Sequence, residues 1–204
     1  MTKSDTDAPL HLQPYGPGPR AAEKIFETAR DLFYREGIRA VGVDEIVSKA
    51  GVTKPSLYRS FKSKDDLVAA VLREVEEGFW DRFKSAEDAF PGDPRAQMVA
   101  YFEGLAARSV GDDYRGCALS NAAVEYPDRQ HVGRMVSQAH KEQLRERLRA
   151  KAGEMGATDP KGLGDALLLL IEGVFTSSQM FDGDDKPAMA SVGAVRALIA
   201  AYCP

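Results

Sequence analysis

Residues 37–72 read GIRAVGVDEIVSKAGVTKPSLYRSFKSKDDLVAAVL, and the fold turns on how this stretch divides into helices. Gly37 stops the helix before it, because glycine reaches the left-handed backbone that closes a helix C-terminus. Ile46, Val47 and Ala50 share one face of a short helix from Asp44 to Ala50, which Gly51 ends. Thr53 is a good N-cap, and Pro55 stands in the first turn of the next helix, where its missing N–H costs no helical bond. Leu57, Tyr58 and Phe61 complete that very short helix. Two helices joined by a glycine-containing turn, the second short and basic, make a helix-turn-helix. Ala50 is small where the helices cross, and Val52 is apolar to lock the turn onto the core. The outward side chains Lys54, Ser56 and Arg59 suit a DNA major groove about 12 Å wide, with hydroxyls and lysines at the ends reaching phosphates.

Charge supports this division. The chain has 27 basic and 31 acidic residues, a net of −4, which excludes a protein coated with positive charge. Through Asp65, however, there are 11 basic and 9 acidic residues, against 16 and 22 in the remainder. Lys49, Lys54, Arg59, Lys62 and Lys64 fall between Val47 and Lys64 with no acid among them. A local positive face on an acidic protein points to an anionic partner that the rest of the surface repels.

The flanks predict more helices. Residues 1–18 carry three prolines and two glycines with hardly any apolar periodicity, and read as a disordered arm. Ala22, Ile25, Phe26, Ala29, Leu32 and Phe33 give an amphipathic helix over Arg20–Glu36. Ser63 caps a long helix striped by Leu67, Val71, Leu72, Val75, Phe79 and Phe83. After the turn Pro91-Gly92-Asp93-Pro94, helical spacing resumes over Arg95–Val110, Ala118–Tyr126, Val132–Gly153, Pro160–Phe181 and from Pro187 to Tyr202. No stretch alternates with period two. The prediction is an all-α chain of about nine helices: the arm at 1–18, a helix-turn-helix unit at 19–65 and a helical effector-binding and dimerisation unit at 66–204.

Other classes are excluded or left without support. Cys117 and Cys203 make no CxxC and no bridge framework, which reads as a reducing compartment. The opening MTKSDTDAPLHL lacks the basic patch and apolar core of a secretion signal, and the run Ala166–Ile171 is too short to span a bilayer, so a cytoplasmic protein without membrane contact is expected. His131, His140 and Cys117 do not have zinc-site spacing, and His11 lies in the arm; no metal or other cofactor is expected. GxSxG, GxGxxG, HExxH and a phosphate-binding loop are all missing, so no enzyme is expected.

Residues 37–72 closely resemble the DNA-binding signature of the tetracycline-repressor (TetR) family of transcriptional regulators. Gly37, Ile46, Ala50-Gly51-Val52, Leu57-Tyr58, Phe61, Lys64 and Leu67 all fall at the family's spacings, and with the first helix the resemblance covers roughly residues 20–75. It implies that Thr53, Lys54, Ser56 and Arg59 sit on or beside bases, and that Tyr58 and Lys64 touch phosphates. Two departures stand out. Val41-Gly42 takes the place of a frequent hydroxyl pair, which removes a side-chain cap and a phosphate contact, and Pro55 replaces a frequent glycine.

The resemblance also implies a homodimer held by the last two helices. The penultimate helix is apolar nearly all round and needs cover on both sides, so Leu163, Leu167, Leu170 and Val174, with Val192, Val195 and Ile199 of the last helix, are the expected seam. Two-fold symmetry then asks for a palindromic double-stranded operator with half-sites about 34 Å apart. For a small-molecule effector the candidates are Phe102, Cys117, Asn121, Glu125, His140 and Phe175, with Glu125 as counter-charge for an uncharged or cationic organic compound. The expected function is a ligand-responsive repressor; the alternative is a helical homodimer that binds a metabolite or protein without operator-specific DNA binding.

Overall fold

In the computed structural model, which describes residues 19–111, 113–181 and 186–204, every regular element is helical. The arm expected at 1–18 lies outside the described residues. The elements are α1 (Pro19–Glu36), α2 (Val43–Ala50), α3 (Lys54–Ser60), α4 (Lys64–Ala89), α5 (Pro94–Ser109), α6 (Ala118–Glu125), α7 (Val132–Glu154), α8 (Pro160–Ser177) and α9 (Ser191–Tyr202), with a 3-10 turn Pro187–Ala190 before α9.

Local chemistry sets the ends of these helices. Gly42 precedes α2 with no side-chain cap, as Val41-Gly42 led one to expect. The Ser63 hydroxyl accepts from the Asp66 N–H at 3.0 Å, and the Asp66 carboxylate accepts from the Lys62 N–H at 3.1 Å, so two donors at the start of α4 are satisfied. Asp93 and Asp159 cap α5 and α8 in the same way, each with proline following. The periodicity overran the end of α8, placing it at Phe181 where the helix stops at Ser177. There the Ser177 and Ser178 hydroxyls donate to the carbonyls of Val174 and Phe175, and the Gln179 and Met180 N–H groups fall back to three-residue bonds on Thr176 and Ser177. The chain turns instead of continuing the helix.

One apolar cluster runs through the chain, from Ile25 and Leu32 of α1, through Leu67, Leu72, Phe79 and Phe83 of α4, to Ile171 of α8 and Val195 of α9. α4 therefore packs against the front helices with its first turns and against α5 with its last, while α7 lies along it from Val68 to Glu87. α7 and α8 press together where Gly164 lies: a Cβ there would come within 2.7 Å of the Arg149 Cα. Beside that crossing Asp165 receives both Arg145 (2.8 and 2.6 Å) and Arg149 (2.8 and 2.7 Å), which hold its carboxyl below the usual carboxylate range.

Polar ties join front to back. The Arg39 N–H donates to Glu125 at 2.8 Å, the Arg115 N–H donates to the Tyr34 hydroxyl at 2.7 Å, and that hydroxyl donates to the Gly116 carbonyl at 3.3 Å. Gly116 has a left-handed backbone, φ +69°, and a Cβ there would fall 2.5 Å from the Phe175 carbonyl oxygen. Only glycine lets this loop lie against α8.

The expected dimer seam needs correcting. Leu163, Leu167, Val174, Val195 and Ile199 are 5% exposed or less, inside the chain's own core, and cannot meet a partner; Leu170 and Val192 are half-buried. The apolar side chains that α8 and its continuation turn outward are Leu169, 72% exposed, Met180, 70%, and Phe181, 50%. The stripe was identified correctly as apolar, but an all-round apolar helix does not reveal which face its own chain covers.

Candidate nucleic-acid interface and cavities

Gly51 closes α2 in the left-handed region at φ 65°, where its N–H donates back to Ser48 and the Val52 N–H donates to Val47 at 3.0 Å. That turn aims α3. Of the seven residues of α3 only Leu57 is buried; Lys54, Tyr58 and Arg59 are exposed, as is Thr53 just before it, and Ser56 is half-buried. The Thr53 and Ser56 hydroxyls lie 3.0 Å apart, and Arg59 donates to the Ser56 hydroxyl at 2.9 Å. Five of the six expected DNA-contacting residues therefore share one accessible surface.

Lys64 differs. Its ammonium donates to the Ile38 carbonyl at 2.5 Å and lies 5.8 Å from the centre of the Phe33 ring, and burial pulls its pKa below the usual lysine value. It fastens the α1–α2 turn to the start of α4. The positive stretch also looks weaker in space than along the chain. Lys49 pairs with Glu45 (2.8 Å) and Glu36 (3.1 Å), and Lys54 pairs with Asp44 (2.6 Å), raising both lysine pKa values through hydrogen bonds to the carboxylates. All three acids come before the window in which no acid was counted. Arg59 and Lys62 carry no ion pair among the described residues.

The six effector candidates do not converge. Phe102 is fully buried, edge-on to Tyr101, and lines neither of the two cavities described below. His140 is also fully buried, 4.6 Å from the Phe79 ring and beside Trp80; burial, with the charge of Lys141, lowers its pKa to about 4, so the neutral Nδ1–H tautomer donates to Glu76 at 3.3 Å. Asn121 and Glu125 line a cleft of about 890 Å³ between α1, α4, α6 and α8. Their polar atoms are engaged: the Asn121 amide donates to the Arg115 carbonyl and its oxygen accepts from Gln179, while Glu125 receives the Arg39 N–H. Glu125 is tied to the α1–α2 turn through one oxygen, but it forms no ion pair among the described residues and keeps its charge beside the cleft.

Cys117 and Phe175 border a separate cavity of about 250 Å³, whose other walls include Val75, Phe79 and the residues the sequence reading missed: Arg82, Arg108, Tyr101 and Tyr114. Burial raises the pKa of both Tyr101 and Tyr114, so their hydroxyls stay protonated, and burial together with the nearby Arg82 charge lowers that of Arg108. One signal was present in the sequence. Gly78 and Gly104 each precede an arginine by four residues, the spacing at which a side chain folds back over its own helix. Each guanidinium does so, with a nitrogen about 3.2–3.3 Å from where the glycine's Cβ would be. Among the described residues no three metal-ligating side chains converge, and no helix is long and apolar enough to cross a membrane.

An exposed recognition helix set on an all-helical body by a left-handed glycine turn defines a helix-turn-helix protein of the kind that regulatory proteins use. The pattern described as "Bacterial regulatory proteins, tetR family" fits residues 25–71. SCO4454, a TetR-family transcriptional regulator from Streptomyces coelicolor, superposes with a TM-score of 0.84 at 28% identity, over 91% of this chain and 97% of that one. The sav143 protein of Streptomyces avermitilis, assigned as a tetR-transcriptional regulator, is 30% identical with a TM-score of 0.78, over 91% and 98%. The regulator CifR, solved with substituted cysteines in complex with 26-base-pair double-strand operator DNA, shares the fold at 20% identity, with a TM-score of 0.71 over 93% and 99%. Curated helix-turn-helix transcriptional regulators match over 50 to 86 residues, so the chain spans only 23% to 42% of the length of those relatives. The chain belongs to the TetR family, whose members are transcriptional regulators and not enzymes.

Proposed function

We propose that this protein is a cytoplasmic, ligand-responsive repressor that binds a palindromic operator as a homodimer and is released by a small organic effector. The observation that carries the DNA reading is α3: a seven-residue helix anchored by Leu57 alone, with Thr53, Lys54, Tyr58 and Arg59 in solvent. Thr53, Lys54, Ser56 and Arg59 face the bases and Tyr58 faces the backbone. Lys54 must exchange Asp44 for DNA, which costs little because the pair is exposed to solvent. Lys64 acts by holding the α1–α2 turn, since its ammonium is occupied.

The dimer forms on the outward faces of α8 and α9. Leu169, Gly173, Thr176 and Met180 recur at helical spacing and are exposed, as are Met189, Gly193, Ala197 and Ala201 beside them. A Cβ at Gly173 or Gly193 would meet nothing within 4 Å, which leaves room for a second helix to approach closely. The coupling path is α4. From Leu67, packed among the front helices, to Phe79 on the small cavity is about 18 Å of continuous helix. A ligand that shifts α4 therefore changes the spacing of the two α3 helices. A coupling of about 3 kcal/mol lowers DNA affinity roughly 150-fold.

The test is a gel-shift titration of the purified chain on fragments selected from random duplex pools, at two ionic strengths. The expected result is enrichment of a palindrome and affinity that falls steeply with salt as phosphate counterions are released. Failure to enrich any sequence removes the DNA reading. Leu169→Glu is expected to yield a folded monomer by light scattering; a dimer that persists moves the interface elsewhere.

A further inference from the structure

The small cavity has a definite chemical bias. Arg82 and Arg108 are exposed residues that line it, and neither guanidinium forms an ion pair or hydrogen bond with any other described residue. The Tyr101 and Tyr114 hydroxyls are likewise without partners, although Tyr101 as a whole is only 4% exposed. Among the described residues the lining contains no carboxylate. In a chain with four more acids than bases, and with most of its other arginines engaged, two neighbouring guanidiniums and two free phenols on one cavity stand out. Two like charges held close are unfavourable until an anion joins them. Guanidinium and phenol groups both donate, and a carboxylate only accepts, so the four groups are matched to one kind of head group. Val75, Phe79 and Phe175 supply the apolar wall behind it.

We propose that this cavity is the effector site and that its ligand is a small organic carboxylate, its charged end held by Arg82, Arg108, Tyr101 and Tyr114 and its compact apolar body lying against Val75, Phe79 and Phe175. The proposal rests on the ligand-responsive reading above and replaces the cationic or neutral effector that the sequence suggested. The volume, about 250 Å³, falls below the roughly 300–1,000 Å³ of sites for drug-sized ligands, which selects a single ring or a short chain. Tyr34, Val75 and Ala118 also line the larger cleft and form the wall between the two.

The experiment is calorimetric titration of the full chain with benzoate and hexanoate, against benzamide as the neutral match, benzylamine as the cationic match and inorganic phosphate as an anion without an apolar body. Carboxylate binding that exceeds all three controls is expected. Arg82→Gln and Arg108→Gln should each weaken it roughly 10- to 100-fold, the range for a lost charged hydrogen bond. Arg108→Lys should recover part of that loss, and melting temperatures of the Gln variants should not fall, because both guanidiniums lack protein partners and repel each other. The proposal is overturned by amide or phosphate binding as tight as carboxylate, by variants that bind as the parent does, or by no carboxylate signal at millimolar concentration. Operator gel shifts run in parallel separate the two readings. Carboxylate binding without DNA release keeps the anion site and removes its effector role. DNA release by benzylamine or benzamide without carboxylate binding removes the anion site and keeps effector control.

Discussion

The front and back of this molecule use the same kind of helix in opposite ways. α3 buries one side chain and offers the rest to solvent, so its functional residues are neighbours in sequence and need little from the rest of the chain beyond being held out. α8 buries Leu163, Leu167, Ile171, Val174 and Phe175 within its own chain and leaves Leu169 outside. Its role depends on which face is left over. The cavity is a more extreme case, with walls from α1, α4, α5, α8 and the loop before α6. Function at the front is written locally, while at the back it is assembled.

Substitutions break or sharpen that contrast. The largest expected effect is on Phe102, which looked like a pocket residue but belongs to the core. Phe102→Ala should cost about 3–5 kcal/mol in urea melts while leaving carboxylate affinity nearly unchanged; a loss of binding with normal stability would return it to the pocket. Next is His140, whose pKa falls to about 4 on folding from an ordinary value near 6.5. The unfolded chain then takes up a proton that the native state refuses, so stability present above about pH 6.5 is lost as pH falls toward 4, by about 3 kcal/mol. His140→Leu should flatten that part of the pH profile; an unchanged slope would remove His140 as its source.

At the front the expected changes are functional and smaller. Arg59→Ala should erase about 1–3 kcal/mol of discrimination between selected and scrambled DNA, with no change in thermal melting. Equal weakening on both sequences would reassign Arg59 to the backbone. Lys64→Ala should show the reverse, losing about 1 kcal/mol of stability with its hydrogen bond to Ile38 and affecting DNA only through the loosened turn. If it weakens binding to all sequences without touching stability, Lys64 is a phosphate contact after all.

Much was legible without coordinates, and the reasons are local. Ser63 as a cap, the turn before Pro94, Gly51 as the turn and the absence of a cap at Gly42 are short-range chemistry, and the structure has each. Charge pairing was only partly legible: Glu45 and Lys49 are four apart on α2, but Glu36 reaches Lys49 and Asp44 reaches Lys54 only through folding of the chain. The engagement of Glu125 by Arg39, 86 residues away, was equally hidden.

The sequence by itself determined the all-helical class, the helix-turn-helix and the residues that α3 exposes, because periodicity, capping and turn chemistry act over a few residues. Tertiary structure alone decided which side of α8 is covered, that Lys64 turns inward, and that two arginines and two tyrosines from separate segments meet at one cavity. Those outcomes depend on helix-to-helix contact between distant segments, and a one-dimensional pattern carries the apolar face of a helix but not the identity of what will lie against it.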